Sequence, residues 1–177
     1  MKVLIISDIH ANIDALKAIY DREKDCDEIY CAGDLVDMGP FPREVIAWMK
    51  EHDVRCVKGN HDQAVINAYR CGIRMDNVPP EERNWCIYNA STITEEDVLF
   101  LEDLPEKVTF ENDGIPYLMK HLYYKYEMIL SEQQFFQYWD NYAEGQFSSA
   151  QTRRCIFGHT HRRLVVYYND SDIVLNP

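Results

Sequence analysis

The sequence predicts an α/β protein. Residues 1–60 alternate apolar strand-like runs with amphipathic helical ones, and the last third carries more strand-like runs around one helix. A chain of 177 residues with 46% hydrophobic content is large enough for a single domain, 1–177, with its own core.

The run KVLIISD is continuously apolar and ends in polar residues, as a strand buried on both faces does. NIDALKAIYDRE follows, with Ile13, Leu16, Ile19 and Tyr20 at helical spacing. EIYCAGD repeats the strand pattern, PREVIAWMKEH reads as a helix with Pro42 in its first turn, and VRCVKGN is a third strand. This β-α-β-α-β order implies parallel strands joined by right-handed crossovers. From about residue 62 to 104 no strand pattern occurs. Pro79-Pro80 interrupts the stretch, and PPEERNWCIYNA and TEEDVLFLEDL read as helices, the second capped by Thr94. The region is expected to be a helical excursion or a lid over the site. EKVTFEN and IPYLMKH then flank the turn Asn112-Asp113-Gly114. SEQQFFQYWDNYA is a helix, and RCIFGH, RLVVYYND and DIVLNP are the remaining strands.

Net charge is −12, which disfavours stable binding to nucleic acid or to an acidic membrane surface. Cys26, Cys31, Cys56, Cys71, Cys86 and Cys155 form no C-x-x-C pair, and several lie in apolar runs, so the expected compartment is the reducing cytoplasm. No segment approaches the ~20 apolar residues of a membrane span. The first apolar run is shorter than the ~7–15 residues of a signal-peptide core.

The polar residues collect where parallel α/β sheets place their sites, at the C-terminal ends of strands. Asp8-Ile9-His10, Gly33-Asp34, Gly59-Asn60-His61-Asp62, Lys120-His121 and Gly158-His159-Thr160-His161 each close a strand. Of the six histidines only His52 stands elsewhere. Carboxylate, imidazole and amide oxygen together suit manganese, iron or zinc better than calcium or magnesium. In an extended stretch residues i and i+2 point the same way, so Asp8 and His10 are expected to grip one ion together, and His159 and His161, paired in the same way, to serve two neighbouring ions one each.

These motifs, DIH, GDLVDMG, GNHD, a lone His121 and GHTH, resemble in order and spacing those of the calcineurin-like metallophosphoesterases, most of all the small bacterial and archaeal phosphodiesterases. The resemblance implies a four-layer α/β/β/α sandwich of two mixed sheets. It implies two divalent transition-metal ions, manganese first, with iron or zinc as alternatives. Asp8, His10, Asp34 and His161 would hold one ion, Asp34, Asn60, His121 and His159 the other, with Asp34 bridging. His61 would face the phosphate as the catalytic acid, oriented by Asp62. Gly59 would allow a sharp turn at this point. With Asn rather than Asp at position 60, two divalent ions, two carboxylates and a bridging hydroxide leave the centre positive and attractive to phosphate. The expected reaction is hydrolysis of a phosphodiester or phosphomonoester in a small molecule or nucleotide by that hydroxide. A protein serine/threonine phosphatase is the alternative, disfavoured by Met38 where those enzymes carry Arg. A non-catalytic interaction scaffold of the same fold is another, disfavoured by the intact ligand set.

Other residues read either way. Asn12 is a helix cap or a substrate contact. Asp37 reads as a loop residue or a support for the ligands, Lys58, Arg162 and Arg163 as solvated, and the aromatics Tyr123, Tyr124, Tyr126, Phe135, Phe136, Tyr138 and Trp139 as packing. The resemblance departs at Leu122 and Tyr123, which replace a small residue after His121, so a looser second metal site is expected. Relatives also continue past Asn-Pro, so the chain is expected to be truncated after Pro177. A final strand left at a sheet edge would then favour self-association.

Overall fold

The structure, a computed structural model, describes residues 1–122, 129 and 131–177. Its strands are β1 (Val3–Ile6), β2 (Glu28–Cys31), β3 (Arg55–Cys56), β4 (Lys107–Asn112), β5 (Ile115–Lys120), β6 (Arg153–Ile156), β7 (Leu164–Tyr167) and β8 (Asp172–Asn176). Its α-helices are α1 (Ile13–Glu23), α2 (Pro42–Glu51), α3 (Asn60–Arg70), α4 (Trp85–Thr92), α5 (Glu95–Asp103) and α6 (Glu132–Tyr142).

The first sheet has three parallel strands in the order β1-β2-β3, as the alternating pattern predicts. The third is shorter than its apolar run: Val57 N still bonds Cys31 O, but Lys58 N turns away to Pro105 O. The second sheet has five strands in the order β4-β5-β6-β8-β7, with β5, β6 and β8 parallel and β4 and β7 antiparallel at the edges. The β4–β5 hairpin closes through Asp113 and Gly114, both with positive φ, the conformation a two-residue turn of this kind requires. The last strand is not an edge. β8 lies between β6 and β7 because the chain turns back from β7 into the gap beside β6, so its backbone groups are paired on both sides.

Three apolar layers hold the sandwich. Tyr30, Ala32 and Val57 of the first sheet meet Phe110, Met119 and Ile156 of the second, with Tyr30 and Phe110 stacked at 3.8 Å. Ile6, Ile29 and Cys56 pack under Leu16, Ile46, Val65, Ala90 and Leu101 from α1 to α5. Leu118, Cys155 and Val174 pack under Phe135, Tyr138 and Trp139 of α6. Between 62 and 104 lie most of α3 and all of α4 and α5, whose Val65, Ala90, Val98 and Leu101 belong to the layer around Ile6 and Ile29. Pro42 opens α2, and Thr94 caps α5 in a reciprocal box with Asp97. All six cysteines are unpaired. Among the described residues no helix is long and apolar enough to cross a membrane.

Candidate metal centre

The polar residues at the strand ends meet at one end of the sandwich, where both sheets contribute loops. Asp8 and His10 follow β1, Asp34 follows β2, Asn60 and His61 open α3, His121 follows β5, and His159 and His161 follow β6. The backbone that carries them is not extended. Asp8, His10, Asp34, His159 and His161 all have φ between 49° and 68°, the left-handed region that costs a non-glycine residue free energy. Side chains therefore converge through tight turns rather than by alternation along a strand. His159 and His161 part company: His161 joins Asp8 and His10, while His159 joins Asp34 and His121.

Gly59 has an ordinary extended backbone, φ −96° and ψ 172°, so no unusual turn requires it. It is needed for space, because a Cβ there would collide with the Asp34 carboxylate and backbone N. Gly33 does need freedom: its φ is 95°, and a Cβ would also come within 2.8 Å of His121 Nδ1.

Asp34 is the junction. It is fully buried, and its Oδ1 accepts from His61 N at 2.9 Å. Its Oδ2 accepts no hydrogen bond of good geometry, yet lies 3.1 Å from His121 Nε2 and 3.9 Å from His10 Nε2. His121 Nδ1 donates to Ala32 O at 2.7 Å, which directs Nε2 at Asp34 Oδ2 and at Asn60 Oδ1, 3.0 Å away. On the other flank His10 Nε2 and His161 Nε2 stand 3.0 Å apart, and His161 Nε2 lies 3.5 Å from Asp8 Oδ1. Each flank thus aims imidazole lone pairs and acidic oxygens at a common point, a donor set that fits a divalent transition metal. The titration tendencies agree. Burial, reinforced by neighbouring imidazoles, holds His10 and His159 below the usual histidine range, in the neutral form that ligates. Burial alone would raise Asp34 and lower His121. Their close approach, 3.1 Å between Asp34 Oδ2 and His121 Nε2, and their opposite charges outweigh it, leaving Asp34 lowered and His121 raised.

Asp62 does not orient His61 as expected. His61 Nδ1 lies 2.7 Å from Asp37 Oδ2, so Asp37 is the carboxylate that orients the imidazole. Asp62 points the other way. Its buried carboxylate accepts from the backbone N–H of Asp34, Leu35, Val36 and Gly59, pinning the loop after β2 to the start of α3. Burial and the charge of Asp34 push its pKa up to about 6 despite those bonds. The reason is helical geometry: Asp62 lies on the inner face of α3, one residue on from His61, so the two side chains diverge. A residue missed in the sequence is Asn89. It is buried, accepts from Asp37 N at 3.0 Å, and donates to Gly39 O and Trp85 O, both at 2.9 Å. The second Asp of GDLVD was the available signal for Asp37; nothing local marks Asn89.

His121 is 3% exposed and its Nδ1 donates to the Ala32 carbonyl, while Tyr123 lies outside the described residues. Asn12 caps α1, its Oδ1 accepting from Ala15 N at 3.0 Å, and it also lines a cleft of about 510 Å³ with Asp8, His10, Met38, Pro40 and His161. Lys58 is engaged with Glu102 O at 2.7 Å, and Arg162 and Arg163 are exposed. Phe135, Tyr138 and Trp139 are core residues, whereas Tyr124 and Tyr126 lie outside the described residues.

Known proteins share this fold. A metallophosphoesterase from Sphaerobacter thermophilus superimposes with a TM-score of 0.67 at 24% identity, covering 100% of this chain and 76% of its own. Over 105 residues the chain is 29% identical to an uncharacterized protein of Methanocaldococcus jannaschii, covering 58% of this chain and 42% of that one. Over 84 residues it is 33% identical to a symmetrical bis(5'-nucleosyl)-tetraphosphatase of Hamiltonella defensa, covering 44% of this chain and 30% of that one. The match thus spans less than half the length of either curated relative. The profile of the calcineurin-like phosphoesterase superfamily domain fits residues 1–177 from end to end, and the chain belongs to that family.

Proposed function

We propose that this protein is a metal-dependent phosphoesterase acting on a small phosphorylated molecule, a nucleotide among the candidates. The observation that carries the reading is the Asp34 carboxylate. It is fully buried, its Oδ2 accepts no hydrogen bond of good geometry, and it stands with His10 and His61 in one possible donor group and with His121 and His159 in another. A buried charge left this way is expensive unless a cation meets it.

Asp8, His10, Asp34 and His161 would hold one divalent ion, and Asp34, Asn60, His121 and His159 a second, with manganese, iron and zinc all compatible with the donors. Such ions would polarise phosphoryl oxygens and lower the pKa of water. The chain's own contribution is positional. The loop after β2 is fixed by Asp62, so Asp34 cannot drift from either group. Asp37 holds the His61 Nδ1 proton, which leaves Nε2 to carry a second proton to the leaving oxygen of the ester. Met38, with φ 57° and an exposed side chain, stands where protein phosphatases carry Arg, and leaves the cleft without that phosphate-binding cation.

The test is a hydrolysis screen of purified protein with manganese, covering generic phosphomonoesters, phosphodiesters and nucleotides, alongside metal analysis. Turnover that manganese restores after chelation is expected. A protein that retains no divalent metal and cleaves none of these esters would overturn the reading.

A further inference from the structure

Beyond the metal centre the cleft does not end at Pro40. That residue also lines a second pocket, of about 580 Å³, with Met75, Arg83, Asn84, Trp85 and Tyr88. The pocket is mainly apolar and open to solvent. Trp85 is 48% exposed there, in edge contact with Tyr88 at 5.6 Å, whereas Trp48 and Trp139 are 6% and 1% exposed in the core. An exposed tryptophan is unusual for so large an apolar side chain, and one beside a second aromatic in a concave site offers a planar ligand a stacking surface. The Arg83 guanidinium has no hydrogen-bond or ion-pair partner among the described residues, in a chain of net charge −12.

The two pockets are mechanically joined. Asn89 ties Asp37 N and Gly39 O, from the loop that supports His61, to Trp85 O at the start of α4. Asn84 caps the same helix through Ile87 N at 3.0 Å. The aromatic wall is therefore held in a fixed relation to the donor cluster.

We propose that the pocket of Met75, Arg83, Trp85 and Tyr88 is a nucleobase subsite, so that the preferred substrate is a nucleoside phosphate ester whose phosphorus lies at the Asp–His centre. The base stacks on Trp85 and Tyr88, and Arg83 meets its free face or its carbonyl and ring-nitrogen acceptors. The phosphate end of this assignment rests on the phosphoesterase reading; the base end does not.

Two measurements separate them. Trp85 is the exposed tryptophan of the three, so its fluorescence reports the pocket directly. Adenosine 5'-monophosphate should quench it saturably, inorganic phosphate should not, and Tyr88→Ala should weaken the quenching affinity by about fivefold or more. In kinetics, the p-nitrophenyl ester of thymidine 5'-monophosphate is compared with methyl p-nitrophenyl phosphate, which has no base. Trp85→Ala should lower kcat/KM for the nucleoside ester about tenfold more than for the base-free one, chiefly through KM. Saturable quenching without turnover of either ester supports the subsite and removes the hydrolase reading. Turnover of both esters with no quenching, or with equal losses in the variant, overturns the subsite and leaves the hydrolase reading standing.

Discussion

The candidate centre has a closed side and an open side, and they are built by different means. On the closed side Asp34 and His121 are buried, Ala32 O fixes the imidazole, and Asp62 gathers four backbone N–H groups into one carboxylate. On the open side His161 is exposed, Asn12 and Met38 border a cleft, and the pocket of Trp85 lies beyond Pro40. The closed side spends hydrogen bonds on geometry before any ligand arrives, and the open side keeps surface free to receive one. Preorganisation of a site and access to it are thus divided between its two walls.

The sharpest way to break this division is Asp34→Asn, which neutralises the junction. Metal should be lost from both groups and turnover should fall by on the order of 10³-fold or more. Full metal content in the purified variant would show that the closed side does not hold the centre together. Next is His61→Ala, expected to keep its metal while losing ~10²–10⁴-fold in rate, the size of a general-acid contribution. Metal loss in parallel with rate would make His61 a ligand.

Smaller effects distinguish the two aspartates that flank His61. Asp37→Asn should cost about 10–100-fold in rate, as the loss of an orienting partner does, with the unfolding temperature held. Asp62→Asn should instead destabilise by roughly 2–4 kcal/mol, because two of its four bonds would face an amide donor. For a domain of this size that lowers Tm by roughly 5–15 °C. If both variants behaved alike in calorimetry and kinetics, the separation of an orienting carboxylate from a structural one would fail. The mildest contrast is between His121→Ala and His161→Ala. The preset, buried ligand should matter more, so metal titration should show about tenfold greater loss of affinity for His121→Ala. The reverse order would place the tighter group on the open side.

Much of this was legible in the sequence because strands in a parallel sheet end on one edge. Asp8, His10, Asp34, His121, His159 and His161 could be gathered from that rule and from the spacing of apolar runs alone. What was not legible depended on backbone outside the regular elements. Asp37 reaches His61 because Asp37 and Met38 adopt φ of 69° and 57°, a turn no periodicity announces. Asp62 does not reach the His61 imidazole because successive residues of α3 project in different directions, a divergence the sequence does not announce. Placing β8 inside the second sheet needed the long-range pairing with β6, and Trp85 sits in a pocket formed by residues 40 to 88 that share no local pattern.

The donor groups also draw on opposite ends of the chain. Asp8 accepts from His159 N at 2.9 and 3.0 Å across 151 residues of sequence, and His10 faces His161 over the same span. One sheet supplies the first partner of each pair and the other sheet the second. An ion seated between them would be a cross-link closing a loop with a separation of 151 residues, comparable in its effect on the unfolded chain to a disulfide. Bound metal would then raise the unfolding temperature in proportion to its affinity and hold the two sheets together. Chelation should consequently be felt first as faster amide exchange in β5 and β6, where the second sheet leans on the first through Met119 and Ile156.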